Sequence, residues 1–573
     1  MEPEVESKRQ WGITITSVTF SDGSRLSFGA GDIVALVGPN NSGKSVALAE
    51  IYEAVANAPD PPPATVITSL ELERHGTSED IVAYFERESI VRNPEDPNPI
   101  YSGMGYQLHR SQASSWWTGK LSGLRNVLCT LLTTEARLGA CAPPPNIQLT
   151  VEHPKHPIHV MQRDDEEEKR VSGFFRQAFD KDLIVHRNAG SNVPLYCGTS
   201  PKLEEPEDRA SLSYAQKLET LDRVDLQGDG VKSFVGVVLY ALLNPRDVLL
   251  VDEPEAFLHP PQARVLGKML AAELPAATQM FCATHSGDFL KGLLDRDKGN
   301  VHVVRVRRSN GKNPVRVLDK SAVKKVWKDS LLHYSNILDA VFHQGVVICE
   351  SDSDCRFYAA IADRKRGRED QPQRDLMFTH CGGKDRIAMV INALAALDVP
   401  FAAVVDFDVL RDEPVLRRIF ESCGGIWAVI EKDWTSVTGA INSKRPELNT
   451  EAVVKDISIE LNTVTETVFP SGAADNIRKI LRQSSPWSLA KSLGKVYVPP
   501  GEATLAYGRL VGQLAAKGLF VVPVGELECF DKNVGGHGPS WVNAVLETRD
   551  LDADAELLEA RSFTDGFVKF VLK

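Results

Sequence analysis

Two groups of residues in this 573-residue chain have the types and spacing to handle phosphate. The first opens with Gly38-Pro39-Asn40-Asn41-Ser42-Gly43-Lys44-Ser45, which fits GxxxxGK followed by Ser or Thr. In such a loop glycines turn backbone N–H groups toward a β-phosphate, here with Lys44 to neutralise the β and γ oxygens and Ser45 to face Mg²⁺. The apolar run Val248 to Val251 then delivers Asp252 and Glu253. Asp252 is placed to hold Mg²⁺ through water, and Glu253 to polarise an attacking water. Phe281 to Ala283 leads to Thr284-His285-Ser286, which sets His285 at a strand end within reach of a γ-phosphate. ATP with Mg²⁺ (or Mn²⁺) is the ligand these residues call for.

The second group is acidic: Glu350 with Asp354, then Asp406-Phe407-Asp408, then Glu526 and Glu528. Glu350 ends an apolar run, and Asp354 follows one turn into the next helix. Asp406 and Asp408 are two apart, so their carboxylates point the same way on an extended segment. Carboxylates from neighbouring strand ends converge where open α/β sheets bind ligands, and hard oxygen donors suit Mg²⁺ or Mn²⁺. Metal-assisted hydrolysis of a phosphodiester follows. One ion would orient the phosphate and activate water while a second, at ~4 Å, stabilises the leaving oxygen. A topoisomerase would need a tyrosine nucleophile too, and Tyr358 and Tyr507 stand in no recognisable context.

The elements that must position these groups read as α/β. Ile13 to Phe20 and Arg25 to Phe28 alternate as short strands, Ile33 to Val37 feeds the glycine loop, and Ser45 to Asn57 continues as a helix. From about Pro59 to Pro206 the pattern loosens, with proline clusters at Pro61 to Pro63 and Pro143 to Pro145. Within it Gly119 to Arg137 is helical in pattern, Ile147 to Val151 reads as a strand and Val171 to Phe179 as a helix. Trp116-Trp117 suits a self-association surface or, more plainly, a helical core. This predicts an inserted helical or dimerisation element near 60–200. Regular alternation returns from Val231 to Val306. A second α/β unit runs through Gly345 to Glu350, the helix Asp352 to Arg364, and strands at Leu376 to His380, Phe401 to Asp406 and Leu519 to Val524. A polar, partly helical stretch from Asp433 to Gln513 reads as an insertion or lid. The expected division is 1–340 and 341–573, with the second insertion near 433–513.

Composition bounds the function classes. Apolar residues at 43% and charged ones at 25% are ordinary for a globular protein, and the absence of a long apolar run argues against a membrane span. The polar, acidic start lacks the apolar stretch of a secretory signal. Nine cysteines without a CxxC pair predict reduced thiols and a cytoplasmic location. A net charge of -12 argues against coating nucleic acid by bulk electrostatics, though not against a local basic groove.

The first set of motifs resembles ATP-binding-cassette heads such as those of RecF and SMC proteins. By that resemblance Glu255 to Pro260 makes contact across a dimer. Gln227-Gly228-Asp229-Gly230-Val231-Lys232-Ser233-Phe234 fills the signature slot, departing from LSGGQ, with Gly228 and Gly230 turned to a second subunit's ATP. Val346 to Asp354 with Val404 to Asp408 resembles the Toprim fold, although Ser351 stands where a glycine often follows the first glutamate. Cys381-Gly382-Gly383-Lys384-Asp385 and Val524 to Glu528, followed by Lys532, resemble segments of the overcoming lysogenization defect (OLD) family. The resemblance implies Glu526 or Glu528 as a further metal ligand and Lys384 or Lys532 as a cation on phosphate. It also implies an ABC-type P-loop ATPase fused to a Toprim domain, assembled as a homodimer or higher oligomer, that cuts or nicks DNA. Several such proteins act against phage alone, beside a UvrD-like helicase as in Gabija, or as retron effectors. The competing reading is an ATP-driven DNA clamp or scaffold whose Toprim-like domain does not cut.

Overall fold

The computed structural model describes residues 11–59, 64–203, 208–296, 298–308, 311–318, 336–364, 375–444, 450–464, 468–482 and 486–573. The chain divides into two compact units, Met1–Lys324 and Lys325–Lys573.

The first unit is built on a six-stranded sheet. In spatial order its strands are Val315–Val317, Val301–Val306, Ile33–Val37, Gln279–Ala283, Val248–Asp252 and Cys129–Leu132. All neighbours are parallel except the outermost Val315–Val317. The Ile33–Val37 and Gln279–Ala283 strands are buried at every position, which is why their sequences run apolar instead of alternating. Leu36, Ala47, Leu48, Ile51, Leu250 and Phe281 meet in one core under the helix Lys44–Asn57. Gly12–Phe20 pairs antiparallel with Arg25–Ser27 on one side and Ile67–His75 on the other, forming a separate small sheet.

The loosely patterned stretch departs from its sequence reading in two places. Gly119 to Arg137 is not one helix: short turns at Leu121–Gly123 and Arg125–Leu128 precede the strand Cys129–Leu132, and Thr134–Gly139 follows as a short helix. Leu131 pairs with Leu250, and this register against a buried edge outweighs the local helical periodicity. Ile147 to Val151 is turn and coil rather than strand, ending with Val151 exposed. Val171 to Phe179 lies inside the helix Asp165–Phe179, whose start is capped by the Asp164 carboxylate. The aromatic pair is core: Trp117 is buried edge-on to Trp11 at 5.6 Å, and Trp116 packs half-buried against the same cluster.

The second unit holds a four-stranded parallel sheet in the order Leu376–His380, Gly345–Cys349, Phe401–Val405, Leu519–Val521. Between its third and fourth strands in the chain, Trp427–Ser443, Thr450–Asn462, Ser471–Arg482, Pro486–Leu493 and Glu502–Ala515 are helices. The two central strands are adjacent and parallel, so the loops after Cys349 and Val405 leave the sheet side by side. The helices Asp352–Asp363 and Leu558–Val571 contribute Phe357, Tyr358 and Phe567 to a core closed by Trp541.

Trp541 is fully buried with its ring 5.3 Å from Phe357. Trp541→Ala is expected to lower the unfolding free energy of this unit by about 3–5 kcal/mol. Denaturant titration followed by circular dichroism measures it, and a loss below about 1 kcal/mol would contradict the packing described.

Candidate functional site

In the first unit the glycine loop joins the strand Ile33–Val37 to the helix Lys44–Asn57. Gly38 and Gly43 take left-handed backbone, with φ 141° and 98°. The Lys44 ammonium donates to the Gly38 and Pro39 carbonyls at 2.8 and 2.9 Å, and Asn313 donates to the Ser42 carbonyl at 2.7 Å. Asn40 is exposed, and Asn41 sits at φ 60°. The strand ending at Ala283 lies between the loop strand and the acidic strand, and that placement brings distant segments together. Ser45 donates its hydroxyl to Asp252 at 2.8 Å across 207 residues of sequence. Glu253 adopts φ 47°, donates its N–H to Ala283, and places its carboxylate 3.7 Å from His285. Burial, then the neighbouring Glu253, raises the Asp252 carboxyl above its ordinary value, with the Ser45 hydroxyl opposing.

Two residues to which the sequence reading assigned no part in this site, Glu255 having been read only as a dimer contact, complete it. Arg137 is fully buried and donates to the Asp252 backbone carbonyl. Its position at the end of a segment that reads as helix gives no signal of this. Glu255 sinks its carboxylate into the protein, accepting from the Thr284 hydroxyl and the His285 N–H, both at 2.8 Å, while its second oxygen is buried with no hydrogen-bond partner. Its carboxyl is raised mainly by desolvation. Its place two residues after Glu253 was the available signal. Gly228 precedes the helix Asp229–Leu242, and Gly230 lies so close to the Phe257 carbonyl that a Cβ would approach its oxygen to 2.6 Å. A contact within the chain therefore accounts for Gly230.

In the second unit Glu350, Asp406 and Asp408 bring one carboxylate oxygen each within 4.8 Å of one another. Glu350 accepts the Asp406 backbone N–H at 3.0 Å, and Lys384 reaches Asp408 at 3.2 Å. Asp354 falls outside this triad, yet lies near enough for its charge to act on Glu350 and Asp406. Its Oδ2 accepts the Ser351 N–H at 2.8 Å and the Ser351 hydroxyl at 3.0 Å, capping the helix Asp352–Asp363. Asp352 pairs instead with Arg356 at 2.7 Å. Glu526 is tied to Asp406 through Lys491, whose ammonium lies 3.4 and 3.5 Å from the two. Glu528 accepts the Gly538 N–H at 2.6 Å and pairs with His537 at 2.7 Å, while Lys532 donates to the Ser492 carbonyl at 3.0 Å. Lys491 was missed because it sits in a polar helical stretch without a motif.

The electrostatics of this cluster are those of a cation site. Desolvation, then Glu350, pushes the Asp406 carboxyl well above its ordinary range, and burial with Asp408 and Asp354 raises Glu350 against the Asp406 N–H bond. Burial works against the Lys491 charge, yet Asp406, Asp408 and Glu526 hold its ammonium above the usual lysine value. Hard carboxylate donors that repel one another when ionised fit a divalent ion of the Mg²⁺ or Mn²⁺ kind.

Comparison with known proteins agrees with both halves. An AAA domain family, whose description names an AbiEii toxin of a type IV TA system, matches residues 203–290. The Toprim domain of overcoming lysogenization defect-like proteins matches residues 341–408. The chain matches an ATPase–Toprim fusion of the OLD family. It is α/β throughout, with an ATPase-domain match in the first unit and a Toprim match on the parallel sheet of the second. Among solved structures, an SMC head bound to the C-winged helix domain of ScpA is 14% identical, covering 55% of this chain and 99% of its own with TM-score 0.33. The Pyrococcus furiosus SMC head with an extended coiled coil, bound to the C-terminal domain of ScpA, is 12% identical over 56% and 99%, with TM-score 0.29. The Thermotoga maritima SMC head is 16% identical over 54% and 98%, with TM-score 0.25. At these scores the assignment rests on the two family matches and the strand order, not on the structural neighbours. No curated relative matches the chain.

A carboxyl raised by burial holds its proton more tightly folded than unfolded, so Glu255 contributes less to stability as pH rises from about 4.3 through its folded value. Glu255→Gln keeps an acceptor for Thr284 and His285 without that dependence. Relative to wild type the variant is expected to gain stability as pH climbs, by denaturant unfolding between about pH 4 and pH 8. A pH-independent difference would contradict this.

Proposed function

We propose that the chain is an ATP-binding and ATP-hydrolysing, divalent-metal-dependent DNA endonuclease, a nicking or cutting enzyme of bacterial defence against phage. The observation that carries this reading is the approach of Glu350, Asp406 and Asp408 to within 4.8 Å, with Lys384 on Asp408 at the same strand ends. These three acids would hold Mg²⁺ or Mn²⁺, with Glu526 next to them. Bound there, the ion supplies Lewis acidity to a phosphodiester and lowers the pKa of its water. Lys384 is the cation on the substrate phosphate. Asp354 positions the helix that follows Glu350, and Lys532 steadies the Ser492 carbonyl.

In the head, Lys44 and the loop N–H groups from Gly38 to Ser45 would take the nucleotide phosphates, and Ser45 with Asp252 the accompanying Mg²⁺. Glu253 polarises the attacking water, and His285, facing Glu253, contacts the γ-phosphate. Gly228 and Gly230 open the helix that meets a second copy's nucleotide in a homodimer or larger assembly. The functional division follows 1–340 for the ATPase and 341–573 for the nuclease, DNA being the substrate and a helicase or retron the company such proteins keep. Among the described residues no helix is long and apolar enough to cross a membrane. All nine cysteines are free, which suits a reducing cytoplasm.

Asp406→Ala and Asp408→Ala are each expected to reduce Mg²⁺- or Mn²⁺-dependent cutting of DNA by at least about 100-fold, read on gels of supercoiled and linear substrates. Undiminished cutting in both would reject the nuclease site. DNA binding with no product under any divalent ion would make the chain a clamp. Lys44→Ala is expected to abolish nucleotide binding, and comparing its cutting with wild type, with and without ATP, fixes the sign of the coupling.

A further inference from the structure

The lysines at the acid cluster are mounted differently. Lys384 follows the Gly382-Gly383 turn, whereas Lys491 comes from the helix Pro486–Leu493, remote in sequence from every motif. Its ammonium lies 3.5 Å from Asp406 and 3.4 Å from Glu526. Backbone and side-chain contacts fix this helix and the turn after it to the loops of both acids. Lys495 donates its N–H to the Pro523 carbonyl at 2.8 Å, and Cys529 and Lys532 donate to the Ser492 carbonyl at 3.3 and 3.0 Å. Gly525, at φ 117°, runs so close to the helix that a Cβ would lie 2.0 Å from the Lys491 carbonyl oxygen. The Gly525 carbonyl in turn accepts the Phe407 N–H at 2.8 Å, one residue past Asp406. The helix that carries Lys491 is thus fixed beside the loops of both acids, which sets its ammonium within reach of them.

Charge defines what else the cluster takes. Glu350, Asp406, Asp408 and Glu526 bring four negative charges, and Lys384 and Lys491 return two positive ones. Asp354 adds its own charge, raising Glu350 and Asp406 further, so the cluster keeps a surplus of negative charge for a divalent cation. Asp354 and Glu528 commit oxygens to Ser351 and to His537 with Gly538.

We propose that the Lys491 ammonium is the built-in second cation of this site. Glu350, Asp406 and Asp408 then take a single divalent ion, and the position between Asp406 and Glu526 is closed to metal. The inference rests on the nuclease reading above and changes it: the positive charge that a second ion brings to a leaving oxygen is supplied here by a compact ammonium with three N–H donors.

The test is a Mn²⁺ titration of the full chain without nucleotide, counting bound ions by the electron paramagnetic resonance of free Mn²⁺. The ions lost in Asp406→Ala are those of the acid cluster. Wild type is expected to hold one such ion, Lys491→Met and Lys491→Gln two, and Lys491→Arg one. Adding Glu526→Gln to Lys491→Met is expected to remove the gained ion. Circular dichroism melting of both neutral variants establishes that they fold, and a gain in either one suffices. Two Asp406-dependent ions in wild type, or one in both folded neutral variants, would overturn the proposal. No Asp406-dependent ion in wild type or in any Lys491 variant would instead overturn the metal reading of the cluster itself.

Discussion

The hydrogen bond from the Asp406 N–H to the Glu350 carboxylate is the contact on which the second unit's chemistry depends. Parallel pairing of Gly345–Cys349 with Phe401–Val405 forces two acidic strand ends together, where their charges repel. The backbone N–H offsets part of that repulsion and fixes the Glu350 oxygen beside Asp406. Without it the Glu350 carboxylate would lose its one backbone tie to the second acidic strand end. Asp408 and Lys384 then add a third acid and its counter-charge. Strand pairing thus creates the electrostatic problem, and the site's later members each answer part of it.

The head reaches a similar end by a different means. Its acids are separated in sequence from the glycine loop by most of the unit, and the intervening strand Gln279–Ala283 sets the distance between them. Ser45 meets Asp252 directly, while Glu253 is turned toward His285 by a left-handed backbone that a non-glycine residue adopts only when its surroundings enforce it. The Glu253 N–H bond to Ala283 and the buried Arg137 beneath Asp252 are those surroundings.

How far this was legible in the sequence differed by kind of signal. Ile33–Val37, Val248–Asp252 and Phe401–Val405 are unbroken apolar runs because parallel strands are covered on both faces, so these strands and the acids ending them can be read directly. Cys129–Leu132 could not be, since its four residues sit inside a helical periodicity and become a strand only against Val248–Val251. Asp354 was placed by spacing, yet Ser351-Asp352-Ser353-Asp354 also fits Ser-x-x-Asp, the capping pattern that takes its carboxylate. Lys491 has no local signature, because the contacts that aim it come from Pro523, Gly525 and Ser492. Pattern identifies residues that act through their own element, and misses those whose aim is set by another.

The close approach of Gly230 to the Phe257 carbonyl has a mechanical consequence. Phe257 belongs to the segment that begins at Glu255, and Glu255 grips Thr284 and His285. The start of the helix Asp229–Leu242, the segment after the acid pair and the tip of the His285 strand are therefore in unbroken contact. A side chain added at Gly230 would therefore press on the Phe257 carbonyl, in the same segment whose Glu255 holds the backbone of the His285 strand end.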